Sequence, residues 1–135
     1  ISGCLTPLPE KIIINDRELT CKAQSGKIIW FDFRTLCFGT RSQADYLWLA
    51  QRYTHVFISG VEKMSPNEKN EARRLTLLAD VFYDYRVKIC LTAQVPMQEL
   101  YTEGDFAHEF VRTVSRLIEM QSADYLAQTH LTLKD

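Results

Sequence analysis

The residues in this chain whose placement most suggests chemistry are arginines. Arg112 and Arg116 stand four apart, so they share one face of a helix, with Glu109 and Glu119 each three residues from an arginine. Two readings are open: intrahelical ion pairs on a solvated surface, or an arginine directed across an interface at an anionic ligand or acidic partner. Arg73 and Arg74 fall near the start of a helical stretch, where basic residues oppose the macrodipole. An acidic partner, inside or outside the fold, would account for them, as would simple exposure. Arg41 precedes Ser42, the expected N-cap of a helix, and helix N-termini attract anions. Pairing with Asp45 is its other reading.

Other chemistries lack their residues. A P-loop requires G-x-x-x-x-G-K-[ST], whose backbone amides and lysine surround phosphates, and none of the five glycines heads one. Gly39-Thr40-Arg41-Ser42 lacks the first glycine and the lysine. Phe57-Ile58-Ser59-Gly60 ends without the acidic pair that would hold magnesium, and it is not a nucleophile elbow. Ser59 reads as a strand-end hydroxyl. The three histidines, His55, His108 and His130, have no partner at metal-ligand spacing. Glu99, Glu103, Asp105 and Glu109 crowd a helix start, where the macrodipole favours acids. Cys4, Cys21, Cys37 and Cys90 show no C-x-x-C spacing and read as reduced, packed thiols of a cytosolic protein. A stand-alone enzyme is a poor reading.

The elements that must position these residues change character along the chain. Residues 11–33 read as an antiparallel β-meander: Lys11–Ile14, the Asn15-Asp16 turn, the alternating run Glu18–Gln24, the Ser25-Gly26 turn, then Lys27–Phe31. Residues 42–128 read as an α/β part. It starts with a helix from Ser42 to about Tyr53 and a strand at His55–Ser59. A long helix follows from near Asn67, with Ala72, Leu75, Leu78, Ala79, Phe82 and Tyr85 as its apolar stripe, then a strand at Val87–Ala93. Strand, helix and strand make a βαβ unit. Pro96 opens a short helix through Tyr101, Gly104 breaks it, Asp105 caps a final helix, and a helical tail covers Ala123–Gln128. The class is α/β (α+β), as a single domain over residues 1–135.

With 135 residues and 16 basic against 17 acidic side chains, net −1, no bulk attraction to nucleic acid or an anionic membrane follows. No apolar run spans a bilayer. The chain begins at Ile1 with no signal-peptide pattern, which points to a processed product or a domain of a longer, cytoplasmic polypeptide.

Several segments carry a resemblance: Arg41–Tyr46, Val56–Val61, Glu71–Arg74, Phe82–Lys88, Glu99–Tyr101 and, longest, Arg112–Ser122. In this order they resemble the C-terminal part of the ZapE-like ATPases, AAA+-type P-loop proteins with a bacterial cell-division branch and mitochondrial relatives. The likeness covers roughly residues 29–126. It implies a C-terminal fragment of a longer ATPase, with ATP and Mg held by a core upstream and absent here. By position, Arg41 is then a nucleotide-sensing candidate, and Arg112 and Arg116 are candidates for an arginine acting in trans on a neighbouring subunit. The stretch from His55 to Tyr101 also resembles the Walker B to first-sensor half of the family's own core, with Ser59-Gly60 in place of the acids. Three stretches depart from the pattern. Phe38-Gly39-Thr40 replaces Gly-Gly-Pro before Arg41, Val111 replaces an acid, and Tyr85 replaces an arginine.

Two functions compete. The first is an accessory and oligomerisation part of such an ATPase, whose partners are its own N-terminal core and neighbouring subunits. The second is a non-catalytic module that binds a client or cell-division protein, and through it a membrane periphery, using Arg73, Arg74, Tyr83, Asp84, Arg86 and the exposed aromatics among Tyr83, Tyr85 and Tyr101. An independent enzyme, revealed by sensitivity to Ser59 or His108 substitution, is a weaker third.

Overall fold

The computed structural model describes residues 10–15, 17–38 and 42–128. β1 (Glu10–Ile14) and β2 (Arg17–Cys21) form an antiparallel hairpin in which Ile14 faces Arg17. Asn15 takes φ +50° in the connecting turn, a conformation that asparagine tolerates better than most residues. The alternating run expected at Glu18–Gln24 divides at Lys22 into β2 and β3 (Ala23–Ser25). Leu19, Cys21 and Ala23 stay buried through the break. Each half joins a different sheet, so one amphipathic run serves two.

β3 pairs antiparallel with β4 (Ile28–Asp32), and β4 pairs parallel with β5 (His55–Val61), which pairs parallel with β6 (Lys88–Ala93). The four-stranded order is β3-β4-β5-β6. β4 therefore closes the antiparallel part and also opens the parallel part. The βαβ unit read from the sequence is β5, α3 (Lys69–Asp84) and β6; a second crossover, through α1 (Phe33–Cys37) and α2 (Gln43–Arg52), joins β4 to β5.

Local sequence accounts for some of the helix boundaries. Ser42 is the N-cap of α2, and its backbone N–H donates to Asp45 Oδ2 at 2.9 Å. In α3 the stripe Ala72, Leu75, Leu78, Ala79 and Phe82 is buried, while Tyr85 lies one residue past the helix and is half-buried. Arg86 follows at φ +62° and turns the chain toward β6. The short helix after Pro96 is a single 3-10 turn, Met97–Glu99. Asp105 does not cap the last long helix. α4 (Ala107–Glu119) has Phe106 at its N-cap and no side-chain cap bond. The entry turn is made instead by the Ala107 N–H donating to the Gly104 carbonyl, and the exposed Asp105 carboxylate lies 4.0 Å from Lys69 Nζ. α5 (Ala123–Leu126) is capped by Ser122, whose Oγ accepts the Tyr125 N–H.

One core joins these elements. Ile29, Phe31, Val56, Ile58 and Ile89 are buried on one sheet face together with the stripes of α2, α3 and α4. Inside the α3–α4 contact, Thr76 Oγ1 and Thr113 Oγ1 share a buried hydrogen bond of 2.7 Å.

Candidate functional site

The two arginines of α4 have different surroundings. Arg116 Nη1 donates to Asp80 Oδ1 of α3 at 2.6 Å, and its guanidinium lies 4.5 Å from the centre of the Tyr83 ring. Its ion pair therefore crosses between helices rather than running along α4, the first of the two readings open from the sequence. Arg112 is exposed and makes no ion pair among the described residues, and Val111 and Ile118 are exposed on the same helix.

Around Arg116 the network continues inward. Tyr83 donates its hydroxyl to Glu119 Oε2 at 2.7 Å and stacks on Tyr125 with centroids 5.7 Å apart. The hydrogen bond to Glu119, with some desolvation, raises the Tyr83 pKa. Tyr125 donates to the carbonyls of Val87 (2.7 Å) and Phe82 (3.2 Å), and burial pushes its phenol well above the ordinary range. Lys88 Nζ donates to the carbonyls of Gln128 at 2.6 Å and Arg86 at 2.8 Å; burial, then the Arg86 charge, lowers its pKa. Arg86 Nη1 folds back on the carbonyls of Tyr83 and Asp84, both at 3.1 Å, and so satisfies the C-terminal end of α3. Of the suggested contact residues on this segment, Tyr83 and Arg86 are thus engaged internally, and Asp84 is exposed.

Arg73 and Arg74 also part company. Arg74 Nη1 reaches the Cys37 carbonyl at the end of α1 (3.2 Å) and Glu71 (3.4 Å), which supplies the internal acidic partner the sequence left open. Arg73 is exposed, with its guanidinium 5.3 Å from the centre of the Phe106 ring. Both line an apolar groove of about 240 Å³ with Thr76 and Leu77. Arg41 lies outside the described residues. Asp45, weighed as its partner, is buried and holds Arg17 Nη1 at 2.5 Å, Asn15 Nδ2 at 3.3 Å and the Ser42 N–H.

A polar cluster that the sequence did not reveal sits at the C-terminal ends of the parallel strands, the end where open α/β sheets bind ligands. Trp30 Nε1 donates to Ser59 Oγ at 2.9 Å, Ser59 donates to Asp32 Oδ1 at 3.2 Å, and Lys22 Nζ reaches the same oxygen at 3.4 Å. Arg34 forks onto Glu62 at 2.8 and 3.1 Å. The register that sets Asp32 beside Ser59 brings this cluster together, and no sequence spacing announces it. Asp32, Phe33, Arg34, Ser59, Gly60 and Glu62 line a cleft of about 230 Å³.

These groups do not fit a magnesium–nucleotide by themselves. The phosphate-cradling motif is absent from the sequence, and the carboxylates at the strand ends are already paired with Lys22 and Arg34. Among the described residues no group of three or more His, Cys, Asp or Glu could hold a metal ion. No helix among them is long and apolar enough to cross a membrane.

The profile of the AFG1-like ATPases matches residues 6–129. The chain belongs to the AFG1-like ATPase family. It is 39% identical over 118 residues to the cell division protein ZapE of Escherichia coli, covering 87% of this chain and 32% of that protein. An uncharacterized protein of Schizosaccharomyces pombe is 39% identical over 93 residues, or 68% of this chain and 20% of the relative. Lactation elevated protein 1 homolog B of Danio rerio is 29% identical over 149 aligned positions, covering 87% and 30%. The chain thus spans about a third of the length of the ZapE relative. No solved structure matches it. Family membership implies nucleotide use by AFG1-like proteins as whole polypeptides.

Proposed function

We propose that this chain is the C-terminal accessory and oligomerisation part of a ZapE-like P-loop ATPase, and that it supports hydrolysis by a nucleotide-binding core in the rest of the polypeptide. What carries the reading is the exposed Arg112 on α4, a helix that also exposes Val111 and Ile118, in an AFG1-like ATPase chain with no P-loop. An exposed cation with no ion-pair partner among the described residues suits a subunit boundary where it would stabilise charge on a phosphoryl group held by a neighbour. ATP and Mg²⁺ belong to that core. The partners are the core itself and adjacent subunits, in the cytoplasm, with no role for nucleic acid. Arg116, committed to Asp80, supports the shape of this surface, and Arg41 is kept as a nucleotide-sensing candidate.

The test is ATP turnover by the full-length polypeptide. Arg112→Ala is expected to lower it by about 10³-fold or more, the range for arginines acting in trans. Unchanged turnover would sink the assignment.

The Arg73–Phe106 groove favours a second reading, a module that captures a client or cell-division protein. Arg73→Glu would then abolish capture while turnover persists; the reverse pattern counts against it. Arg74 is a poor probe for this, because it ties α3 to α1 through the Cys37 carbonyl.

A further inference from the structure

Burial along the parallel strands alternates in step. The row Ile29, Val56, Ile89 is buried, whereas Trp30 and Phe57 in the next row are half-exposed and Cys90 is exposed. The strand register places Trp30 beside Phe57 and Phe57 beside Cys90, so the three form one line across β4, β5 and β6. Together with Ser59 and Thr92 they border an apolar groove of about 220 Å³. Asp32, Lys22 and Ser59 make a polar rim at one end, with Ser59 taking the indole N–H of Trp30.

Parallel strands in α/β proteins ordinarily have both faces covered. Among the described residues the helices cover one. We infer that the Trp30–Phe57–Cys90 face is the seat of an amphipathic helix from the part of the ATPase polypeptide that lies outside these 135 residues. This rests on the proposed function and names the surface through which it works. The occupant is argued from length and shape. The chain is 32% of the length of its Escherichia coli relative and 30% of the Danio rerio one, so about two thirds of a polypeptide of that size lies elsewhere. A row of side chains crossing three parallel strands, apolar in the middle and polar at one end, is the shape a helix covers in a doubly wound sheet. Cys90 contributes as a small apolar group, because partial desolvation at this exposed position raises its thiol pKa.

The test uses the Cys90 thiol as reporter in a Cys4→Ser background, since Cys21 and Cys37 are buried. A maleimide is added to the 135-residue chain and, separately, to the full-length polypeptide, with labelling of Cys90 followed by mass spectrometry. The inference requires labelling about tenfold or more slower in the full-length protein, the protection expected of a packed site that opens only locally. Phe57→Lys should restore fast labelling there. Equal rates in wild-type chain and full-length protein overturn the inference. So does protection in the 135-residue chain that grows with its own concentration, because a second copy is then the occupant. A coding sequence holding no further residues overturns it as well. ATP turnover separates this inference from the proposed function. Protected Cys90 without hydrolysis sinks the ATPase role and keeps the seat, whereas hydrolysis with unprotected Cys90 sinks the seat alone.

Discussion

Removing Arg116 tests whether the α3–α4 network is structural and Arg112 is not. The Arg116–Asp80 pair is short, 2.6 Å, with 30% and 35% of the two side chains exposed. Charges about 4 Å apart attract by about 4 kcal/mol at an effective dielectric of about 20. Exposure of a third, salt screening and the entropy of holding two long side chains reduce the net worth to about 1 kcal/mol. Arg116→Ala also strips the guanidinium from the Tyr83 ring and removes the packing of its stem, so a total near 1.5 kcal/mol is expected. For 135 residues the unfolding entropy is about 0.28 kcal/mol/K, which converts that loss to a Tm decrease of about 5 °C. Arg112→Ala, at an exposed position without partners among the described residues, should shift Tm by under about 2 °C. Scanning calorimetry at low and high salt reads both, and the Arg116 effect should shrink with salt. Equal shifts for the two variants would refute the reasoning. So would a double-mutant cycle with Asp80→Ala giving coupling below about 0.3 kcal/mol.

Three further outcomes can be checked with purified protein. Thr76→Val should cost about 1–3 kcal/mol by leaving the buried Thr113 hydroxyl unpaired, whereas Thr76→Val with Thr113→Val should cost less than the single change, as denaturant melts would show. Gly104→Ala should cost about 1–3 kcal/mol, because φ is +126° and an added Cβ would meet the Tyr101 hydroxyl and sit 3.1 Å from Pro66 Cα. Tyr101→Phe, which deletes a buried hydroxyl with no partner among the described residues, should be neutral or stabilising and should relieve part of that cost. Tyr83 and Tyr125 both titrate above the ordinary 10.0 in the fold, so the unfolded chain ionises first. Their contribution is complete below pH 10 and is lost as pH rises beyond it. Tyrosinate absorbance alongside circular dichroism should show that Tyr83→Phe flattens this alkaline loss; an unchanged slope contradicts the assignment.

Structure that is local is legible in the sequence. The α3 stripe from Ala72 to Phe82, the Ser42 N-cap and the Asn15 turn are written in spacings of three or four residues and in residues suited to caps and turns. The break at Lys22 was not legible, because both sides of it keep the same alternation and only tertiary pairing assigns them to different sheets. The double role of β4 was hidden for the same reason. Asp105 looked like a cap by type, yet the Gly104–Ala107 turn places the helix start beyond its reach. The separation of Arg112 from Arg116 depends on how α3 packs against α4, which brings Asp80 to an arginine 36 positions away. The strand-end cluster of Trp30, Asp32 and Ser59 follows from β-register alone. Family segments such as Arg112–Ser122 carry the functional reading, because no catalytic motif stands in the sequence itself.

The most direct measurement is steady-state ATP hydrolysis by three proteins side by side: the full-length polypeptide, its Arg112→Ala variant, and the 135-residue chain. The expected result is turnover by the first, loss of about 10³-fold or more in the second, and none from the third. Hydrolysis by the chain alone, or an Arg112→Ala protein as active as wild type, would contradict an accessory role exercised through α4.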